Sequence, residues 1–341
     1  MFSMLSECLK IREKNKSRFL KAHKFLKKGR YFTNESGTLW YPKKLKKKAL
    51  PENNHIILQQ VYDQTAKKAK TGIKGKLIER FYSLRVKSQP LFFEGDVALL
   101  SRNPGVGKVI NYSQKEILSF FEDQAQMCQV IEKHDAWKNL GYAVLPIFQV
   151  NGTQCFFTEE YIQKQNFLPE EGFEFIKDDI LLRQKACGDD GLIVCSPEEL
   201  AEKVEGLKRL AGKWEGVSAA IDFIQSPNYV KRVCHGDLNR NNLIFDGEKF
   251  WYIDFELLSP HIFFFDVISC FISGYLIFEN DTLLNAFLAG EYDAYFSELF
   301  SVNHSVYDPA MKKVYLFLTL YEYFCESFKT DIPFDKFKSV F

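Results

Sequence analysis

The stretch from Val233 to Asp266 constrains the fold more than any other part of the chain. It holds two short β-rich runs, residues 243–245 (Leu-Ile-Phe) and 249–253 (Lys-Phe-Trp-Tyr-Ile), joined through Asp246-Gly247. Asp-Gly between apolar runs is a strong hairpin signal. A hairpin returns the chain to its starting end, so Asn242 before the first strand and Asp254 after the second are expected to meet. Asp237, five residues before Asn242, shares the loop that enters the hairpin. Two carboxylates and a carboxamide at one end of a hairpin make an oxygen-rich site suited to a hard cation such as Mg2+. The plainer reading, a hairpin with solvated acids at its mouth, fits Asp254 and Asp266 poorly. Both sit in strongly apolar sequence, and a buried carboxylate is unfavourable unless paired.

The spacing His-Gly-Asp-x4-Asn, followed by an apolar residue and Asp-Phe-Glu, resembles the core of the aminoglycoside phosphotransferase and choline kinase family. The resemblance implies an α+β, two-lobed, protein-kinase-like fold with a small β-rich N-lobe and a larger helical C-lobe. It also implies a role for each residue. Asp237 would be the catalytic base that orients the acceptor hydroxyl and takes its proton. Asn242 and Asp254 would hold the Mg2+ ions that bridge the phosphates of ATP or GTP. Asp266 would brace the loop by hydrogen bonds, and His235 would pack beneath it. Phosphoryl transfer rests on positioning and charge neutralisation more than on covalent chemistry, so few polar side chains suffice.

At 341 residues the chain is long enough to bury a large core and form two or three lobes. Its first residues, Met-Phe-Ser-Met-Leu-Ser-Glu-Cys-Leu-Lys, lead into charges rather than an apolar segment, so no secretory signal is expected. Eight cysteines are scattered without a C-x-x-C pair or zinc-ligand spacing. That usage points to reduced thiols, a cytoplasmic protein and no zinc. The net charge of +1 hides an asymmetry: residues 1–50 hold 15 Lys/Arg against three Glu, or +12, which leaves −11 for the remainder. Residues 1–84 read as a basic, mainly helical extension, with helices over 5–28 and from about His55 to Lys70. Such a segment suits peripheral contact with an anionic membrane or a polyanionic glycan. A solvated face that packs back on the acidic remainder is the alternative, and the lack of interleaved aromatics disfavours nucleic acid.

Residues 85–162 alternate short strands around one helix, the order of a kinase-like N-lobe that binds nucleotide. The capping-box pattern Ser113-Gln114-Lys115-Glu116 places that helix from 113 to about Lys133. Gly152 marks a turn between strands over 144–150 and 154–158. The run Thr158-Glu159-Glu160-Tyr161-Ile162 resembles the hinge of such kinases, where backbone groups near Glu160 and Ile162 would bond the adenine. Lys108 would be the strand lysine that contacts the α- and β-phosphates, with a plain surface lysine as the alternative. Its helix partner stays open between Glu122 and Gln124. Glu122 has a plausible spacing but lies off the apolar stripe of Ile117, Phe120, Phe121, Cys128 and Ile131, whereas Gln124 lies inside it. The sequence departs from the family pattern in having no G-x-G-x-x-G loop. Residues 103–109 (Asn-Pro-Gly-Val-Gly-Lys-Val) also lack the first glycine and the Ser or Thr of a P-loop.

Residues 163–341 read as the helical C-lobe that carries the 237–254 site and the acceptor. Residues 163–195 look irregular. Ser196-Pro197-Glu198-Glu199 is a capping box with proline at the first helical position, opening a helix expected to run to about Phe223. Ile262 to Phe278 is almost wholly apolar, but it spans about 17 residues and contains Asp266, so a buried helix is expected rather than a membrane span. Residues 281–300 and 309–328 read as amphipathic helices.

Only 11 residues separate Asp254 from Asp266, too few for a segment that docks a peptide, so the acceptor is expected to be a small molecule or a glycan hydroxyl. Glu256 is a candidate for the acceptor pocket or a helix-end charge, and Arg240 a candidate to steady a phosphate or face solvent. The basic extension favours a sugar or glycoconjugate. The acidic remainder suits a cationic acceptor, of the aminoglycoside or choline type, as the alternative. The absent glycine loop and the unassigned partner of Lys108 leave a third class open, a catalytically idle kinase-like binding protein.

Overall fold

Alternating apolar residues build an eight-stranded antiparallel sheet in the computed structural model, which describes residues 19, 22–33, 39–42, 83–86, 93–100, 106–338 and 340–341. The strands are β1 (Gly29–Thr33), β2 (Leu39–Pro42), β3 (Ser83–Val86), β4 (Val97–Leu100), β5 (Gly107–Asn111), β6 (Glu116–Phe120), β7 (Ile147–Asn151) and β8 (Phe156–Glu160), ordered β3-β1-β2-β4-β5-β6-β8-β7. Phe25, Tyr31, Trp40, Val109, Leu118, Phe120 and Phe156 form a buried cluster within this unit. Phe121, Met127 and Phe157 form a second, where helix α1 (Gln124–Asn139) begins. Residues 1–132, 145–166 and 244–251 make up this first unit, and residues 133–144, 167–243 and 252–341 the second.

The described part of residues 1–84 supplies three strands and a short 3-10 turn at His23–Phe25. The helices expected over 5–28 and from His55 to Lys70 lie otherwise outside the described residues.

Ser113–Glu116 does not start a helix. The Asn111 side-chain oxygen accepts from the Ser113 and Gln114 amides at 3.0 and 2.9 Å and from the Ser113 hydroxyl at 2.7 Å. These short-range bonds close a turn through Lys115 at φ +55°, and the β-rich Ile117-Leu118 continues as β6. Asn, a strong former of such turns, outcompetes the capping box. Helix α1 instead follows Asp123, whose carboxylate takes the Gln126 amide at 2.8 Å.

The second unit is helical, with α2 (Pro169–Cys187), α3 (Pro197–Lys208), α4 (Val217–Ile224), α5 (Phe265–Phe278), α6 (Thr282–Ala289), α7 (Asp293–Val302) and α8 (Lys312–Leu320), the last running into a π-helical turn at Tyr321–Ser327. The region 163–195, which looks irregular in sequence, contains α2. Its entry is held by Pro169 and by Glu171, whose carboxylate takes the Leu168 amide at 2.8 Å, a cap without the usual Ser, Thr, Asp or Asn. The Ser196 cap forms as expected, with Ser196 and Glu199 exchanging hydrogen bonds of 3.2 and 2.9 Å. The helix expected to reach Phe223 is broken into α3 and α4 by the stretch that holds Gly212 and Gly216. Helix α5 is buried from Phe265 through Ser273. No helix of the described residues is long and apolar enough to cross a membrane.

Candidate active site

Strand β9 (Lys231–Cys234) pairs antiparallel with β12 (Ser259–Ile262), and between β9 and the hairpin of β10 (Leu243–Phe245) and β11 (Phe250–Tyr252) runs the loop 235–242. The loop is fastened at its start by Asp266, in the first turn of α5. The Asp266 carboxylate accepts from the His235 amide at 2.7 Å and the Gly236 amide at 3.1 Å. Burial pushes the Asp266 carboxyl up, and His235 and these amides oppose that push without cancelling it. The helix N-terminus favours negative charge at this position as well. His235 is buried and reaches the Ile253 carbonyl through Nε2 at 2.9 Å.

Gly236 takes φ +84°, and a Cβ there would sit 2.3 Å from the Leu257 carbonyl oxygen. A left-handed backbone and a backbone clash coincide at this residue. Gly236→Ala is expected to destabilise the protein by about 2 to 4 kcal/mol and lower its melting temperature. Thermal unfolding of the variant checks this, and an unchanged midpoint refutes it.

Within the loop, Asp237 is held from three sides. Its Oδ1 accepts from Asn239 Nδ2 at 3.1 Å and from the Tyr323 hydroxyl at 3.3 Å, and its Oδ2 accepts from Asn242 Nδ2 at 3.1 Å. Asn239 and Asn242 also donate to the Asp237 carbonyl, at 3.1 and 2.6 Å, so backbone and side chain are fixed together. Burial pushes the Asp237 carboxyl above the usual carboxylate range; nearby Asp254 adds to this, while His235, Asn242 and Tyr323 oppose it. Arg240 donates to the Phe167 carbonyl at 3.0 Å and lies over the Phe167 ring, 5.4 Å from its centroid.

The hairpin returns as the sequence requires. The Ile253 amide donates to the Asn242 carbonyl at 3.1 Å, which brings Asp254 beside Asn242. Asp254 takes a left-handed backbone, φ +73°, and its carboxylate is exposed. The Asn242 amide nitrogen is spent on Asp237, which leaves its Oδ1 as an acceptor. Neither this oxygen nor the Asp254 carboxylate has a hydrogen-bond or ion-pair partner among the described residues. No cluster of three His, Cys, Asp or Glu side chains suited to a metal occurs among them either. The Asn–Asp pair therefore fits a cation that takes few protein oxygens and completes its shell with phosphate and water, which is the habit of Mg2+.

The first unit carries the remaining sequence candidates. Lys108 lies on β5, directly opposite Ser119 of β6, so the two share a sheet face. The strand that leads into α1 is β6, which contains no lysine. Glu122 is not on the helix. It lies exposed in the link between β6 and α1, where its amide donates to Gln126, so the expectation that places Glu122 on a helix is corrected. Gln124 is the first residue of α1. On β8, Glu159 accepts from Ser119 at 3.2 Å, on the face Lys108 shares. Glu160 ends β8, and Ile162 follows beyond the strand.

Tyr323 and Asn239 are site residues that sequence reasoning missed. Asn239 had a local signal, two residues from Asp237 in a turn-forming run. Tyr323 lies 86 residues from Asp237 and had none.

Residues 198–300 match the phosphotransferase enzyme family. Among solved structures the chain is similar to the choline kinase LicA from Streptococcus pneumoniae, at 14% identity and a TM-score of 0.42, over 70% of this chain and 89% of that one. It is also similar to the amicoumacin kinase hAmiN, at 10% identity and a TM-score of 0.40, over 65% and 78% of the two chains. An aminoglycoside-3'-phosphotransferase of type VIII is similar at 13% identity and a TM-score of 0.38, over 66% and 90%. No curated protein matches.

Proposed function

We propose that this chain, whose residues 198–300 match the phosphotransferase enzyme family, moves the γ-phosphate of ATP or GTP to a hydroxyl of a sugar or glycoconjugate. The coarser activity is that of a small-molecule kinase with an alcohol acceptor. One observation carries the reading: Asp237 is clamped by Asn239, Asn242 and Tyr323, while the Asn242 oxygen and the Asp254 carboxylate beside it keep their acceptor capacity.

Asp237 acts as the base, aligning the acceptor hydroxyl and taking its proton as the O–P bond forms. Asn242 and Asp254 hold Mg2+, which when bound neutralises phosphate charge. Asp266 positions the loop through the His235 and Gly236 amides. In the nucleotide-binding lobe, residues 85–162, Lys108 contacts the α- and β-phosphates, and backbone groups near Glu160 and Ile162 bond the base. Lys108 acts from β5, with Glu159 on the same sheet face as a candidate counter-charge. Residues 163–341 carry the acceptor.

The surroundings of Asp237 support a sugar. Tyr323 packs against Phe324 and Phe328, with ring centroids 5.2 and 4.9 Å apart, and Phe328 is 44% exposed. Open aromatic faces suit the C–H face of a sugar ring. The same faces also suit a cation, and the net −11 of residues 51–341 favours an aminoglycoside- or choline-type acceptor as the second reading.

Mg-dependent thermal stabilisation by ATP and by GTP tests the nucleotide site. A ligand that binds the folded state at 100 times its Kd adds about 2.7 kcal/mol, a shift of several degrees. The shift is expected to need both Mg2+ and Asp254, and to vanish in Asp254→Ala. No shift with either nucleotide would favour an idle kinase-like scaffold. Turnover screens with sugars against cationic alcohols then separate the two acceptor classes.

A further inference from the structure

Counting acceptor positions on Asp237 exposes an unusual partner. A carboxylate oxygen accepts about two hydrogen bonds in the plane of its group. Oδ1 already has two, from Asn239 Nδ2 and the Tyr323 hydroxyl, and Oδ2 has one, from Asn242 Nδ2. Two of these donors are amides from the loop itself. The third is an alcohol-type O–H delivered from 86 residues away, the same chemical group that an acceptor substrate presents to a base.

The element that delivers it is built for accuracy. Tyr323 stands on the π-helical turn Tyr321–Ser327, a rare form that recurs at functional sites. The preceding residue, Glu322, is 1% exposed and pins the turn. Its carboxylate is bonded by Lys203 Nζ at 2.6 Å, the Tyr229 hydroxyl at 3.1 Å, the Ile262 amide at 3.0 Å and His261 Nδ1 at 3.2 Å. Above it, the Tyr323 ring is half-exposed and rests on Phe324 and Phe328. The hydroxyl is thus aimed by a rigid base, while its ring faces a partly open side of the unit. A residue needed only to hold Asp237 in place would duplicate what Asn239 and Asn242 already do.

We infer that Tyr323 is a specificity-determining residue whose hydroxyl occupies the acceptor's place on Asp237 until an acceptor alcohol displaces it, and thereby keeps water from being used as the acceptor. The inference rests on the phosphotransferase reading of this site. The reaction it suppresses is ATP hydrolysis: a water oxygen bonds to the γ-phosphorus, the bond from that phosphorus to the bridging oxygen of ADP breaks, and the water proton passes to Asp237. With Tyr323 on Oδ1, the one position left to water is the second one on Oδ2, beside the Asn242 amide. A substrate alcohol, bound by its remaining atoms, has the binding energy to replace one hydrogen bond to the carboxylate.

Hydrolysis of Mg·ATP without any added acceptor gives a test that does not need the acceptor's identity. Tyr323→Phe keeps the ring contacts and removes the hydroxyl alone. It is expected to raise acceptor-independent hydrolysis at least about tenfold, the lower end of what a hydrogen bond to a charged group is worth, with a melting temperature close to that of the unaltered chain. Adding Asp237→Asn to the variant is expected to abolish the gain, which shows that it runs through Asp237. Tyr323→Leu serves as a second variant of the same prediction.

If hydrolysis in Tyr323→Phe stays level or falls while Mg·ATP still stabilises both proteins, Tyr323 merely positions Asp237 and the inference is overturned with the kinase reading intact. If Mg·ATP does not stabilise the unaltered chain, both fall together. A gain that survives Asp237→Asn also overturns it, because the water is then activated elsewhere.

Discussion

Asp237→Ala is expected to lower phosphoryl transfer by at least about a thousandfold while Mg·ATP still stabilises the protein. General-base groups contribute on the order of 10² to 10⁴ in rate, and Asp237 also orients the acceptor, so the loss belongs toward the upper end. Nucleotide binding persists because the cation pair, Asn242 and Asp254, is untouched, although Asn242 loses its bond to Oδ2. The contrast with Asp254→Ala, which is expected to lose the Mg-dependent shift itself, separates the base from the metal ligand. Folding is not expected to suffer. Burial raises the Asp237 carboxyl above the usual range, so at neutral pH its ionised form is less favourable in the folded chain than in the unfolded one, and removing it relieves that penalty. Single-turnover assays with the identified acceptor, beside thermal shifts with Mg·ATP, decide the point; full turnover in Asp237→Ala means the base lies elsewhere.

The hairpin, its ligand oxygens and the Asp266 brace were legible because they lie within one stretch of sequence. Asp237, Asn242 and Asp254 are brought together by a turn whose residues state it, and the Ile253–Asn242 bond closes it. Asp266 was legible for a different reason: a carboxylate in an apolar helix must find donors, the resemblance pointed to the loop, and the two donors are the His235 and Gly236 amides. Ser196 and Glu199 capped α3 as their spacing required. The identical logic failed at Ser113–Glu116, where Asn111, two residues before the motif, captured the amides first. That error displaced the helix and with it Glu122, which lies in a link rather than on α1. Helix α2 was missed because its cap is Leu168, with proline and Glu171 doing the capping. Tyr323 and Glu322 were invisible for a deeper reason. Their partners stand 86 residues away in one case and 60 to 119 in the other, and a π-helical turn has no periodicity of its own to announce it.

Lys203→Met is expected to lower the stability of the second unit by about 3 to 5 kcal/mol, the loss typical when one member of a buried ion pair is removed. That corresponds to a fall on the order of 10 °C in melting temperature. Lys203 and Glu322 are 5% and 1% exposed and lie 2.6 Å apart, so the variant leaves a carboxylate sealed from water with neutral donors and His261 for company. The pH dependence gives the signature. In the unaltered chain, burial alone would raise the Glu322 carboxyl, but Lys203 and His261 outweigh it and hold the group well below its usual range. A lowered folded value means stability that is fully present above the ordinary Glu value of 4.5 and is lost as pH falls below it. Without Lys203 the burial effect gains the upper hand, the folded value rises, and protonation relieves the variant instead of harming it. The difference in melting temperature between the two proteins is therefore expected to shrink as pH is lowered from 7 toward 4. A difference that stays constant with pH would mean that lost packing of the lysine stem, not the stranded charge, is responsible. Because Glu322 anchors the turn that carries Tyr323, the same variant is expected to raise acceptor-independent hydrolysis in the fraction that remains folded, linking the buried ion pair to the group that faces Asp237.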